Sequence, residues 1–283
     1  MNNKLKSVEL FLALGLATTV NVSAIQAVEV IEEPDMNHNQ QLSEDISHLL
    51  AQGGEGGEGG EGGEGGEGGE GGEGGEGGEG GEGGEGAAVE MTPGEKANAE
   101  FEDKLNSTEL LNALQQGGYV IYFRHAQTEK DYADQVTADV DNCSTQRTLS
   151  EYGWRQAKVI GEAFAKNSIP VGEVISSEYC RAWQTASIAF GEYEKNPALN
   201  FLPYEEYTEA QVEEMKNNVM PLLTAVPESG ANTVIVGHDD IFESATGIYP
   251  APQGMSYVLK PDGNGSFEII ANMSPEDWAL IGN

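Results

Sequence analysis

Tyr119-Val120-Ile121-Tyr122-Phe123-Arg124-His125 is an unbroken apolar run of strand length that ends on an arginine and a histidine. A second run of the same build, Thr233-Val234-Ile235-Val236-Gly237-His238, lies more than a hundred residues further on. Runs without alternation, rich in Val, Ile and aromatics, are strands buried on both faces, which belong to parallel sheets. Ligands of parallel sheets bind at the carboxyl ends of the strands. The two runs therefore decide both the fold class and the place to look for chemistry.

The segments around them fit a sheet covered by helices. A helix carrying Leu105, Leu110, Leu111 and Leu114 stops at Gly117-Gly118. Ser150 caps a helix with Trp154, Ala157, Ile160, Gly161 and Phe164 on one face. Val174-Ile175 reads as a short strand, followed by a helix from about Arg181 to Phe190 and another through Gln211 to Leu223. Ser256–Leu259 and Phe267–Ile270 flank Pro261-Asp262-Gly263-Asn264-Gly265, a hairpin signal, and Ser274-Pro275 starts a last short helix. Alternating strands and helices predict a three-layer α/β/α domain over residues 100–283, with a mostly parallel sheet and an antiparallel C-terminal hairpin.

Upstream the texture changes. Lys4 and Lys6 precede an apolar stretch from Val8 to Val20, and Val22-Ser23-Ala24 or Ile25-Gln26-Ala27 offers a cleavage site. Residues 1–27 thus read as a signal peptide, and the chain is expected to be periplasmic or secreted. No run reaches the ~18 apolar residues of a membrane span. Residues 28–52 form a polar segment with a small apolar cluster, Ile46 to Leu50. From Gly53 to Glu85 the chain repeats Gly-Gly-Glu eleven times. With no apolar side chain and mutually repelling carboxylates, residues 53–86 are expected to be a disordered linker.

The full sequence of 283 residues carries 14 basic and 48 acidic residues, a formal net charge of -34. Such a field repels nucleic acid and anionic membranes. An anionic substrate needs a local cationic cluster, so each arginine near a strand end gains weight. Arg124, His125, Arg181 and His238 all fall at strand ends or just after, which makes a phosphoryl-sized cationic pocket. Neutral imidazole can attack phosphorus directly, and the flanking charges stabilise the oxygens during transfer. The two remaining histidines, His38 and His48, lie in the N-terminal region.

Arg124-His125-Ala126-Gln127-Thr128 resembles the signature of the histidine phosphatase, or phosphoglycerate mutase-like, superfamily. Ser177-Glu178-Tyr179-Cys180-Arg181-Ala182 with Gln184-Thr185-Ala186 is similar to its second motif, and Val236-Gly237-His238 to its third. Cys143-Ser144-Thr145-Gln146-Arg147-Thr148-Leu149-Ser150 is similar to a subgroup of small exported members. The resemblance covers residues 105–283 in the right motif order. It implies that His125 is the nucleophile and that Arg124, Arg181 and His238 bind phosphate. Ala126 departs from the glycine many relatives have after the histidine, a mild backbone constraint.

The implied activity is an exported phosphomonoesterase that works through a phosphohistidine, without metal or other cofactor, on a phosphorylated small molecule or phosphoprotein. The alternatives are a phospho-ligand binding module without turnover, and a phosphomutase. The proton donor stays open between Asp239 and the Glu205–Glu206 pair, with Asp240 or no donor as remaining options. Arg147 either lines the pocket mouth or is an exposed helix-start residue. The insertion between Lys130 and Asn142 is expected to overhang the pocket, its aspartates disfavouring polyphosphates. The two cysteines, Cys143 and Cys180, either bridge or sit reduced in the core.

Overall fold

The computed structural model describes residues 91–130, 133–135, 137–202 and 206–283. The expected signal peptide, polar segment and Gly-Gly-Glu linker lie outside the described residues.

Among the described residues the α-helices and strands follow one another in this order: α1 Pro93–Ala99, α2 Ser107–Gln116, β1 Val120–Arg124, α3 Glu151–Lys166, β2 Val171–Ser176, α4 Cys180–Phe190, β3 Glu194–Lys195, α5 Glu209–Leu223, β4 Asn232–Gly237, α6 Asp239–Thr246, β5 Ser256–Pro261, β6 Phe267–Met273 and α7 Pro275–Leu280. The six strands form one sheet in the order β3-β2-β4-β1-β5-β6. β1 and β2 flank β4 and run parallel to it, β3 runs parallel to β2, and β5 pairs antiparallel with both β1 and β6. The mixed, three-layer architecture read from the sequence is the observed one.

The layers follow from the two-residue alternation of side chains along each strand. Ile121, Phe123, Val174, Val234 and Val236 face one side, against Leu110, Leu114, Ile160, Phe164, Ala182 and Trp278 of α2, α3, α4 and α7. Val120, Tyr122, Ile175 and Ile235 face the other, against Met215, Val219 and Leu223 of α5 and Ile241 and Phe242 of α6. Each of the Val, Leu, Ile, Phe and Met side chains among them contributes roughly 1.5–3 kcal/mol by leaving water. Two buried faces explain why β1 and β4 show no polar alternation.

Four local readings shift. α1 extends the folded part upstream of residue 100: Thr92 caps it, and Ala97 packs on the α5–α6 side of the sheet. The helix ending at Gly117 begins at Ser107, with Asn106 as its cap, so Leu105 precedes it. Trp154 is 51% exposed, because the buried stripe of α3 runs through Gly153, Gln156, Ala157, Ile160, Ala163 and Phe164, and Trp154 sits beyond its edge. α6 directly follows His238 and was not legible as a helix.

The hairpin turn is fixed by Asp262, whose side chain accepts the amides of Asn264 and Ser266. Gly263 and Gly265 supply the left-handed conformations between β5 and β6.

Candidate functional site

β2, β4 and β1 are neighbours, so their carboxyl ends deliver Ser177, His238 and His125 side by side. The ladder continues past the strands: His125 donates its amide to Gly237 O, and Ser177 donates its amide to Val236 O. Arg181 enters from the first turn of α4. His125, His238, Arg124 and Arg181 are all at most 3% exposed, and the two imidazole centroids are 5.4 Å apart. The structure brings these four predicted residues together.

The loop after β1 is clamped by side chains from three directions. Thr185 Oγ1 of α4 accepts the Ala126 amide, Gln156 Oε1 of α3 accepts the Gln127 amide, and Gln253 Oε1 accepts the Thr128 amide. Gly254 donates its amide to His125 O. The close approach of α3 depends on Gly153: a Cβ there would stand 2.0 Å from the Gln127 carbonyl oxygen. Gly237 has a similar reason. Its missing Cβ makes room for the Tyr122 ring, whose hydroxyl donates to His238 O at 2.7 Å and accepts the His238 amide at 3.0 Å.

The protonation of His125 follows from its partners. Nδ1 lies 2.8 Å from the Ala126 carbonyl oxygen, which can only accept, so Nδ1 carries the proton. Arg181 Nε donates to Nε2 at 3.1 Å, so Nε2 is the bare lone pair. Burial, and then Arg181, the neighbouring His238 ring, Arg124 and Arg147, hold the imidazole well below its usual pKa. His125 is therefore a neutral base with its lone pair in the pocket.

Arg124 and Arg181 each have an acidic partner. Arg124 Nη2 meets Asp239 Oδ2 at 2.7 Å, while Pro250 O and the Tyr249 hydroxyl also receive its protons. Arg181 Nη1 meets Asp134 Oδ1 at 3.0 Å. That same oxygen accepts the Arg147 amide at 2.6 Å, so the loop after Lys130 reaches the pocket. Arg147 itself is half-buried, and its charge acts on both histidines.

Cys143 and Cys180 form a disulfide, which fastens the loop carrying Arg147 to the residue before Arg181. Gln146, fully buried, accepts the Cys180 amide and caps the start of α4 where Tyr179 has no capping side chain.

The candidate acids divide. Burial pushes the Asp239 carboxyl up, but Arg124 and the Tyr249 hydroxyl outweigh it and hold Asp239 below the usual carboxylate range. For Asp240, burial and the neighbouring Asp239 charge act together and push it up to about 7, against a hydrogen bond from Tyr207. Glu206 is exposed in the stretch before α5, and Glu205 lies outside the described residues.

Asp134, Tyr249 and Asn200 carry no motif of their own. Among the described residues, no cluster of three His, Cys, Asp or Glu is placed to hold a metal ion, and no helix is long and apolar enough to cross a membrane.

Residues 120–237 match the family model of the histidine phosphatase superfamily (branch 1). No curated protein matches the chain. Similar solved structures include the protein histidine phosphatase SixA complexed with tungstate, at 17% identity over 56% of this chain and 97% of that one, TM-score 0.41. A putative alpha-ribazole-5'-P phosphatase from Escherichia coli K-12 is similar at 15% identity over 56% and 98%, TM-score 0.42. A phosphoserine phosphatase mutant from Entamoeba histolytica, in complex with phosphoserine, gives 15% identity over 56% and 98%, TM-score 0.42.

Proposed function

We propose that this chain, which carries a histidine phosphatase superfamily domain, is a phosphomonoesterase that works through a phosphohistidine on His125. The observation that carries the reading is the bare Nε2 of His125, fixed by the Nδ1–H bond to Ala126 O and surrounded by Arg124, Arg147 and Arg181. A nucleophilic lone pair inside a cationic, water-poor pocket suits in-line attack on a phosphoryl group.

In the first step Nε2 forms the P–N bond as the P–O bond to the leaving group breaks. Arg181 Nε releases Nε2 and turns to the phosphoryl oxygens. The leaving oxygen takes a proton from the Asp239–Asp240 pair. Asp239 is the ionised member, tied to Arg124, and Asp240 is the member kept protonated near neutral pH. Water then attacks phosphorus, gives its proton to the same pair, and the P–N bond breaks to free inorganic phosphate. Arg124, Arg181 and His238 hold the oxygens throughout.

Two of the arginines are already partly neutralised, by Asp239 and Asp134. That balance favours a single phosphoryl group over a polyphosphate, hence a phosphorylated small molecule or a phosphoprotein side chain. Residues 1–27 read as an export signal, so the enzyme would act in the periplasm or outside the cell, and the Cys143–Cys180 bridge supports that reading, since such bonds persist in oxidising compartments.

The test is release of inorganic phosphate by the purified full chain from a panel of aryl and alkyl phosphates. Turnover that disappears in His125→Ala supports the reading. Binding without turnover leaves the phospho-ligand binding module, and transfer to a second substrate hydroxyl in place of water marks a mutase.

A further inference from the structure

His238 is 1% exposed and bonds through one ring nitrogen: Nε2 lies 2.9 Å from Ser177 Oγ. Which of the two carries the proton is decided two residues away. Glu178 Oε2 accepts from Asn200 Nδ2 at 2.7 Å, which orients the amide and leaves Asn200 Oδ1 as an acceptor. That oxygen receives the Glu178 amide at 3.0 Å and the Ser177 hydroxyl at 2.8 Å. Ser177 Oγ has thus spent its only proton, and it also accepts the Tyr179 amide at 3.2 Å. Toward His238 it can only accept. Nε2 therefore holds the proton of the neutral ring, and Nδ1 is bare. Among the described residues, Nδ1 has no hydrogen-bond partner.

We propose that anion binding in this pocket takes up one proton from solvent at Nδ1 of His238, and that the Glu178–Asn200–Ser177 chain confines the proton to that atom. The inference rests on the reading of the pocket as a phosphoryl site and adds to it a proton stoichiometry and two positioning residues, Ser177 and Asn200. A bare Nδ1 and a phosphoryl oxygen are both acceptors and repel. With a proton on Nδ1 the same contact becomes a charge-assisted hydrogen bond.

The groups facing the ring explain why the proton arrives with the ligand. Burial, then Arg181 from α4, Arg147 from the loop before α3 and Arg124 from β1, oppose a further positive charge, and Asp239 of α6 favours it. Neutral His125 stands 5.4 Å away centroid to centroid, and the edge-on rings of Tyr179 and Phe201 at 5.3 and 4.8 Å exclude water. Tyr122 is engaged with the His238 backbone. A dianion placed among the three guanidinium groups reverses the local field and makes the imidazolium favourable. When the anion leaves, the proton leaves with it.

Sulfate is the probe, because it has no proton of its own to exchange near neutral pH. Its binding to the full chain is followed by calorimetry at pH 7 in two buffers of different ionisation enthalpy. The expected result is close to one proton taken up per sulfate, and a Kd that rises about tenfold per pH unit above neutrality. Nitrogen-15 NMR of the imidazoles reads the site directly. Nδ1 of one histidine passes from bare to protonated while its Nε2 keeps its proton, and this signal survives in His125→Ala.

In Ser177→Ala, or in Asn200→Ala should the first fail to fold, the free ring is expected to populate both tautomers. A single unchanged tautomer there overturns the role of the chain. Sulfate binding with a buffer-independent enthalpy, or a proton that appears on Nε2 of His125, overturns the uptake at His238. Absence of any sulfate binding instead removes the phosphoryl-site reading on which the inference stands.

Discussion

Asp134 Oδ1 lies 3.0 Å from Nη1 of Arg181, the residue whose Nε donates to the His125 lone pair. A carboxylate from the loop after Lys130 thus occupies one of the guanidinium edges that a phosphoryl group needs. In the proposed reaction it competes with substrate for the same proton donors. Asp134→Asn keeps an oxygen to accept the Arg147 amide but removes the charge. An exchange of about 0.5–1 kcal/mol, the scale of a partly screened ion pair, corresponds to a KM about two- to fivefold lower for an aryl phosphate. Steady-state kinetics of the single variant measure it, and a raised KM contradicts the competition.

The pH profile should carry two limbs of known sign. His125 must be neutral to attack, and its lowered pKa moves the acid limb below its ordinary 6.5. The proton donor must be protonated, and Asp240, pushed up to about 7, loses its proton as pH rises through that value. For alkyl phosphates kcat/KM should therefore fall on the alkaline side from about pH 7. Asp240→Asn should lower the alkyl rate by roughly 10²–10⁴-fold and remove the alkaline limb from kcat, while kcat/KM keeps the fall set by proton uptake at His238. With p-nitrophenyl phosphate, whose leaving group needs little protonation, the loss should be far smaller. Equal losses on both substrates would assign the residue a structural role.

The Cys143–Cys180 bridge closes a loop of 37 residues in sequence separation and holds Gln146 and Arg147 against the start of α4. Replacing both cysteines by serine should cost about 2–4 kcal/mol of stability, read from urea unfolding. The same variant should show a raised KM with a smaller change in kcat, because it loosens the placement of Arg181 and Arg147 and leaves His125 in place.

Gly153→Ala should be destructive for a reason of space. The new Cβ meets the Gln127 carbonyl oxygen at 2.0 Å and its carbon at 2.9 Å, both backbone atoms of the loop that follows His125. Overpacking of this kind costs about 1–3 kcal/mol. Denaturant midpoints check the stability, and a drop in kcat beyond the unfolded fraction would show that the loop has moved.

What the sequence made legible was whatever chain-local chemistry writes down. The apolar runs of β1 and β4 told of burial on both faces, and the histidines at their ends told of a site. Ser150, Gly117 and the Asp262–Gly265 turn act within a few residues of themselves, so their readings hold at the level of single caps. The sequence puts the aspartates of the insertion over the pocket but does not single out Asp134: an aspartate in an irregular loop has no periodicity, and its partner is 47 residues off. The tautomer of His238 depends on Asn200, 22 residues from Glu178 and 23 from Ser177, and exists only once β2 and the turn after β3 are packed. α6 was hidden because an eight-residue helix straight after a strand leaves too few apolar positions to show a period. Trp154 kept the helical spacing, yet the stripe edge is set by where α3 meets the sheet.

The central claim is a covalent bond between phosphorus and Nε2 of His125. Its most direct test is acid-free quenching of the full chain during turnover of a phosphorus-32-labelled substrate, followed by peptide mapping. The expected result is label on the peptide containing His125, stable to alkali, lost in acid, and missing from His125→Ala. Phosphate released at a normal rate by His125→Ala, or label on any other residue, would contradict the account.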